Sequence, residues 1–167
     1  MRTGIIILII SCISAAQAAR RITGKYSDPA MGYEITVPEG LVGETGDQAG
    51  PGRGFTISLA SGGTINVFGE PNSFGWNAPI DGIRHSLGAE KCDSSRRQAT
   101  GFGRMGRITA TKGTQECGDR LLELLLAFRS GRGPIYWITL RTTTPKRVED
   151  EAAFNKLAAT FQLIPVQ

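Results

Sequence analysis

Histidine is almost missing from this chain: His85 is the only one in 167 residues. Cysteine is scarce at three, tryptophan at two, and aromatic residues reach only 7%. So few histidines and cysteines exclude a zinc-finger framework and a multi-histidine metal centre. No Gly-x-Ser-x-Gly nucleophile elbow occurs, and no run of apolar residues is long enough for a comfortable membrane span. With 40% hydrophobic and 20% charged residues, the composition also excludes a disordered tail or a long coiled coil. What it holds in abundance is glycine, 22 residues, with no collagen-like period.

The first eighteen residues read as a removable leader. Arg2 precedes the apolar stretch Ile5–Ile10, and Ala16-Gln17-Ala18 fits the small-residue cleavage rule, so residues 1–18 are expected to be a signal peptide cut before Ala19. Ile10-Ser11-Cys12 resembles the end of a lipobox, but Cys12 stands very early and the better cleavage site follows it. The expected location is periplasmic or secreted. Residues 19–167 then form one domain, large enough for a single core. Cys92 and Cys117 remain, and in an oxidising compartment their default state is a disulfide. Their spacing is unlike a redox Cys-x-x-Cys pair.

Periodicity supplies the elements. Tyr33-Glu34-Ile35-Thr36-Val37 alternates apolar and polar residues as a half-buried strand does, ending at Pro38. Residues 39–54 read as a glycine-rich loop. Phe55–Leu59 and Thr64–Phe68 alternate around Ser61-Gly62-Gly63, which is a hairpin. A helix is expected from Ala78 to Leu87, capped by Asn77, with Pro79 in its first turn and Gly88 at its end. A strand is expected at 107–111. Leu121–Phe128 has helical composition, yet it leads through a Gly-Pro turn into the strand Ile135–Leu140, so a hairpin of two central strands explains both. Thr144 and Pro145 should start a last helix, whose Phe154, Leu157, Ala158 and Phe161 share one face. The fold class is α+β: an antiparallel sheet with about two packed helices and one disulfide.

Gly32-Tyr33-Glu34-Ile35-Thr36-Val37-Pro38-Glu39-Gly40 is similar to the Gly-aromatic-x-Ile-x-x-Pro-x-Gly start of PsbP/Mog1-like domains, and Phe154–Phe161 resembles their closing helix. The resemblance implies an α/β/α sandwich and a non-catalytic role in binding another protein. The two cysteines and the glycine-rich loop at 43–54 depart from that pattern.

Chemistry offers little for catalysis. His85 follows Asp81 by one helical turn, with Ser73 and Ser86 nearby in sequence, so a Ser-His-Asp arrangement of a small hydrolase can be drawn; an exposed i, i+4 pair is the plainer account. Gly101-Phe102-Gly103-Arg104-Met105-Gly106 matches Gly-x-Gly-x-x-Gly, but no apolar strand precedes it and a strand rather than a helix follows. No cofactor or metal is expected. Two features point to binding. Residues 19–83 carry four basic and seven acidic residues, while 84–167 carry fourteen and eight; Arg96, Arg97, Arg104 and Arg107 fall in the most basic stretch. Phe74 and Trp76 sit in a Pro-, Asn- and Gly-rich loop, where aromatics can anchor a partner or fold back on the core. The expected partner is a protein with an acidic surface, blocked or protected as by an inhibitor or immunity protein; nucleic acid is not expected. An anionic lipid surface or acidic envelope polymer is the alternative.

Overall fold

The computed structural model describes residues 19–46, 53–92, 96–129 and 133–166. The leader expected at 1–18 lies outside the described residues. Among these described residues, eleven strands and two α-helices follow in the order β1 (Arg21–Ile22), β2 (Gly24–Asp28), β3 (Tyr33–Val37), β4 (Gly43–Glu44), β5 (Arg53–Ser58), β6 (Thr64–Glu70), α1 (Pro79–Ala89), β7 (Arg96–Met105), β8 (Ile108–Cys117), β9 (Arg120–Phe128), β10 (Ile135–Thr143), α2 (Arg147–Ala158) and β11 (Gln162–Leu163). Eight strands form one antiparallel sheet ordered β1-β4-β5-β6-β10-β9-β8-β7, and β11-β3-β2 form a second, small one.

Strand β9 shows why the leucine run is a strand. Leu122, Leu124 and Leu126 point to one face, where they pack with Ile83 and Leu87 of α1 and with Ile135 and Trp137. Leu125 and Ala127 point to the other, against Tyr136, Ile138, Phe154, Leu157 and Phe161. A strand covered on both faces has no polar positions to alternate, so it reads as a continuous apolar run. Helix α1 thus lies on one face of the large sheet. Helix α2 lies on the other, together with the small sheet, whose Tyr33 stacks on Phe161 at 5.6 Å. These two apolar layers are the α/β/α arrangement that the resemblance implies.

The expected hairpin at 55–68 is β5–β6, and the strand expected at 107–111 begins one residue later, at Ile108, as the start of the longer β8. Three expectations need correction. Helix α1 runs two residues further than expected, through Gly88 to Ala89, and Ala78 rather than Asn77 holds its N-cap position; the Asp81 carboxylate accepts from the Ala78 N–H instead. Residues 43–44, expected in a loop, pair with β5. Thr144-Pro145-Lys146 form a 3-10 turn ahead of α2, and the Thr144 hydroxyl donates to Asp119 O rather than capping. In the first turn of α2, Asp150 is buried and accepts from Ser61 Oγ (2.9 Å) and Thr142 Oγ1, which pins the helix to the β5–β6 turn and to β10.

The glycine motif at 101–106 is the β7–β8 hairpin and its turn. Gly106 has φ +55°, and a Cβ there would stand 1.9 Å from Phe161 O; its N–H donates to Ala158 O, docking the turn on the end of α2. Gly101 faces open space. Cys92 and Cys117 form the disulfide, joining the exit of α1 to the end of β8.

Three outcomes follow from this packing. Gly106→Ala should lower unfolding free energy by about 2 kcal/mol or more, while Gly101→Ala stays within about 0.5 kcal/mol, because only the first meets backbone and a left-handed φ; urea titration of both variants measures this. Opening the disulfide, which spans 25 residues, should cost about 3–4 kcal/mol in the same assay with and without reductant. Glu123, almost fully buried on the α2 face, is pushed above the ordinary carboxylate range by burial, with Lys112 Nζ at 2.7 Å opposing and Glu151 adding to the shift. Its ionisation therefore draws down stability as pH rises above the ordinary carboxylate range, so Glu123→Gln should gain on the unsubstituted protein as pH climbs through that window. A difference that stays flat with pH would contradict this.

Candidate functional site

The residues expected to bind a partner fall into two groups on opposite flanks of α1. The first is the β7–β8 hairpin. Strand β7 ends the large sheet, and it is exposed along nearly its whole length because nothing among the described residues pairs with its outer edge. Alternation along the strand puts Arg96, Phe102 and Arg104 on the face shared with α1 and Arg97 on the other. Phe102 is 87% exposed. Arg96 is committed in part, since Nη2 donates to Glu90 O where α1 ends and the helix dipole favours a cation. Arg97, Arg104 and Arg107 make no ion pair among the described residues. Arg107 lines a cavity of about 550 Å³ between the hairpin turn, Phe161 and Leu163.

The second group is a groove of about 400 Å³ on the α1 face of the sheet, floored by β6, β10 and β9 and walled by α1 and the loop 71–77. Phe74 and Trp76 belong to it, so they stand apart from the arginines of β7. Phe74 is 63% exposed and lies nearly parallel to Trp76, with ring centroids 4.7 Å apart. Trp76 meets Trp137 edge-on at 6.1 Å, and Trp137 stacks on Phe68. The loop is held by its own polar groups: Asn72 Nδ2 donates to Trp76 O (2.8 Å) and Trp76 N–H donates to Asn72 Oδ1 (3.0 Å). Gly82 of α1 lets the helix approach, since a Cβ there would come within 2.9 Å of the Trp76 ring.

His85 reaches the same groove, with its ring 5.2 Å from Phe74 and 5.6 Å from Trp76. Asp81, its drawn partner, serves the start of α1 instead. The Ser-His-Asp arrangement is therefore not assembled by these contacts, and His85 sits as one ring of an aromatic cluster. Sequence reasoning missed Glu70, Trp137 and Arg141, which come from strands distant in the chain; only the register β6–β10 brings them together. Glu70 Oε1 accepts from Trp137 Nε1 at 2.8 Å, and burial pushes its carboxyl above the usual range against that hydrogen bond. At the other end Arg141 donates to Glu90, whose carboxyl is held low by that bond and by the nearby Arg120 and Arg96 charges. Three arginines gather round one acid there, so this end of the groove is basic while the Glu70 end is acidic.

Among the described residues no group of three or more His, Cys, Asp or Glu is placed to hold a metal ion, and no helix is long and apolar enough to cross a membrane.

No family model matches the sequence, and no curated protein matches it. Solved structures do. The solution structure of cyanobacterial PsbP (CyanoP) from Synechocystis sp. PCC 6803 superposes with a TM-score of 0.51 at 17% identity, covering 93% of this chain and 98% of that one. The crystal structure of LpqN, involved in cell envelope biogenesis of Mycobacterium tuberculosis, gives 0.47 at 11% identity, covering 89% and 92%. The chain shares the fold of cyanobacterial PsbP, as the residues Gly32–Gly40 imply.

Proposed function

We propose that the protein is an exported, non-catalytic binding domain that takes an acidic protein partner along strand β7. One observation carries the reading: a ten-residue edge strand presents Arg97, Arg104 and the almost fully exposed Phe102, and neither arginine forms an ion pair with an acid among the described residues, Glu116 opposite Arg97 being taken by Arg147. Arginines on an open edge discourage pairing with a second copy of the same edge, and they attract a carboxylate-bearing surface. An extended acidic segment could complete the ladder through main-chain hydrogen bonds while alternate side chains meet the arginines and Phe102. The leader expected at residues 1–18 supports a periplasmic or secreted location. Inhibition of, or immunity to, an envelope-acting enzyme is the finer form of this reading: a charged edge fits the acidic cleft of such a target.

The test leaves Arg96 alone, because it also ties down α1. In cells expressing Arg97→Glu/Arg104→Glu, the protein cross-linked by the unsubstituted chain should no longer be recovered, and raising salt should weaken recovery by the unsubstituted chain. Unchanged recovery with the double reversal would place the interface elsewhere. Replacing His85 with Ala should leave recovery untouched.

A further inference from the structure

The aromatic groove beside α1 plays no part in the β7 edge, and its chemistry calls for a different occupant. Two of its neutral polar side chains are already engaged: Asn66 Oδ1 accepts from Thr56 Oγ1 (2.8 Å) and Asn66 Nδ2 donates to Thr139 Oγ1 (3.4 Å). Arg141 and Glu90 form an ion pair. Of the two acids that line the groove, Glu70 is the one with no cation within ion-pair distance among the described residues. Its one direct partner, the Trp137 indole N–H, is neutral.

Around that carboxylate stand the rings of Trp137, Trp76 and Phe74, in a site of about 400 Å³, the size of a small-molecule pocket. Phe74 would be expected to bury itself if it served only the core; instead a hydrogen-bonded loop holds it largely in solvent, parallel to Trp76. Aromatic faces next to an unbalanced carboxylate attract a positive charge spread over carbon, since the ring quadrupole and the carboxylate act in the same sense and desolvating such an ion costs little. We propose that this groove binds a small alkylated ammonium ion, with Glu70 as counter-ion and the rings of Phe74 and Trp76 as the wall against which its methyl groups pack. The basic end at Arg141 sets the orientation: the cation lies toward Glu70, and any anionic portion of the ligand lies toward Arg141.

The chain reports on this site directly, because its two tryptophans, Trp76 and Trp137, both line the groove. The full chain is titrated with choline and with tetramethylammonium at constant ionic strength, following tryptophan emission, with sodium chloride and methyl glucoside as parallel probes. A saturable change with both ammonium ions and none with the two controls is the expected result. Glu70→Gln keeps an oxygen for the Trp137 N–H and should weaken binding about tenfold; Phe74→Ala, a change at an exposed ring, should weaken it about three- to tenfold. Urea unfolding of each variant verifies the fold, and the exposed Phe74 site keeps the test available if Glu70→Gln unfolds. Saturation by methyl glucoside but not by the ammonium ions would overturn the proposal in favour of a carbohydrate site. Equal affinity in the folded Glu70→Gln protein would overturn the counter-ion role, and no saturable response to either ammonium ion would overturn the site.

Discussion

Strand β9 has apolar residues directed to both sides of the sheet, and the rest of the molecule is arranged to cover them. One set of leucines requires α1; the other requires α2 with the small sheet. Each buried leucine contributes about 1.5–3 kcal/mol relative to exposure, so neither layer can be lifted off without a cost comparable to the stability of a whole domain. The one acid on the strand, Glu123, can occupy such a place only because Lys112 reaches it from β8. The two candidate surfaces inherit their positions from this demand. Helix α1 packs mainly on β8 and β9, and the groove lies between it and the floor that β6 and β10 provide.

The two surfaces differ in the kind of recognition they offer. The β7 edge is extended, positively charged and open, suited to long-range attraction and main-chain pairing. The groove is concave, aromatic and acidic at one end, suited to a compact ligand. They share a single structural member, the C-terminal end of α1, where Glu90 is held by Arg141 on the groove side while its backbone carbonyl takes Arg96 from the edge. A shift of that helix end would be felt on both sides.

Much of the fold was legible in local pattern. Alternation gave β3, β5 and β6, and the spacing of Phe154, Leu157 and Ala158 gave α2, while Phe161, expected on the same helical face, lies three residues past the helix end and still packs in the core. Strand β7 was not legible, because Arg96–Gly103 has almost no buried residue: an edge strand exposed on both faces carries no hydrophobic period to read. The short β4 and β11 are set by pairing partners far away in the chain rather than by their own residues. The groove was half visible. Phe74 and Trp76 declared themselves as aromatics in a loop, whereas Glu70 and Arg141 join them only through the β6–β10 register, which no local window contains. His85 invited a catalytic reading through its spacing from Asp81; the fold gives Asp81 to the helix start and His85 to the rings.

The disulfide has a consequence beyond fastening α1 to β8. Residues 92–117 form a covalent ring, and the whole of β7 lies within it. The exposed arginines of that strand are natural targets for trypsin-like proteases. A single cut inside the ring leaves both ends attached, the outgoing strand still paired to β8 and the incoming one still tethered at Cys92. The surface most open to attack is therefore the one from which a single nick releases no fragment.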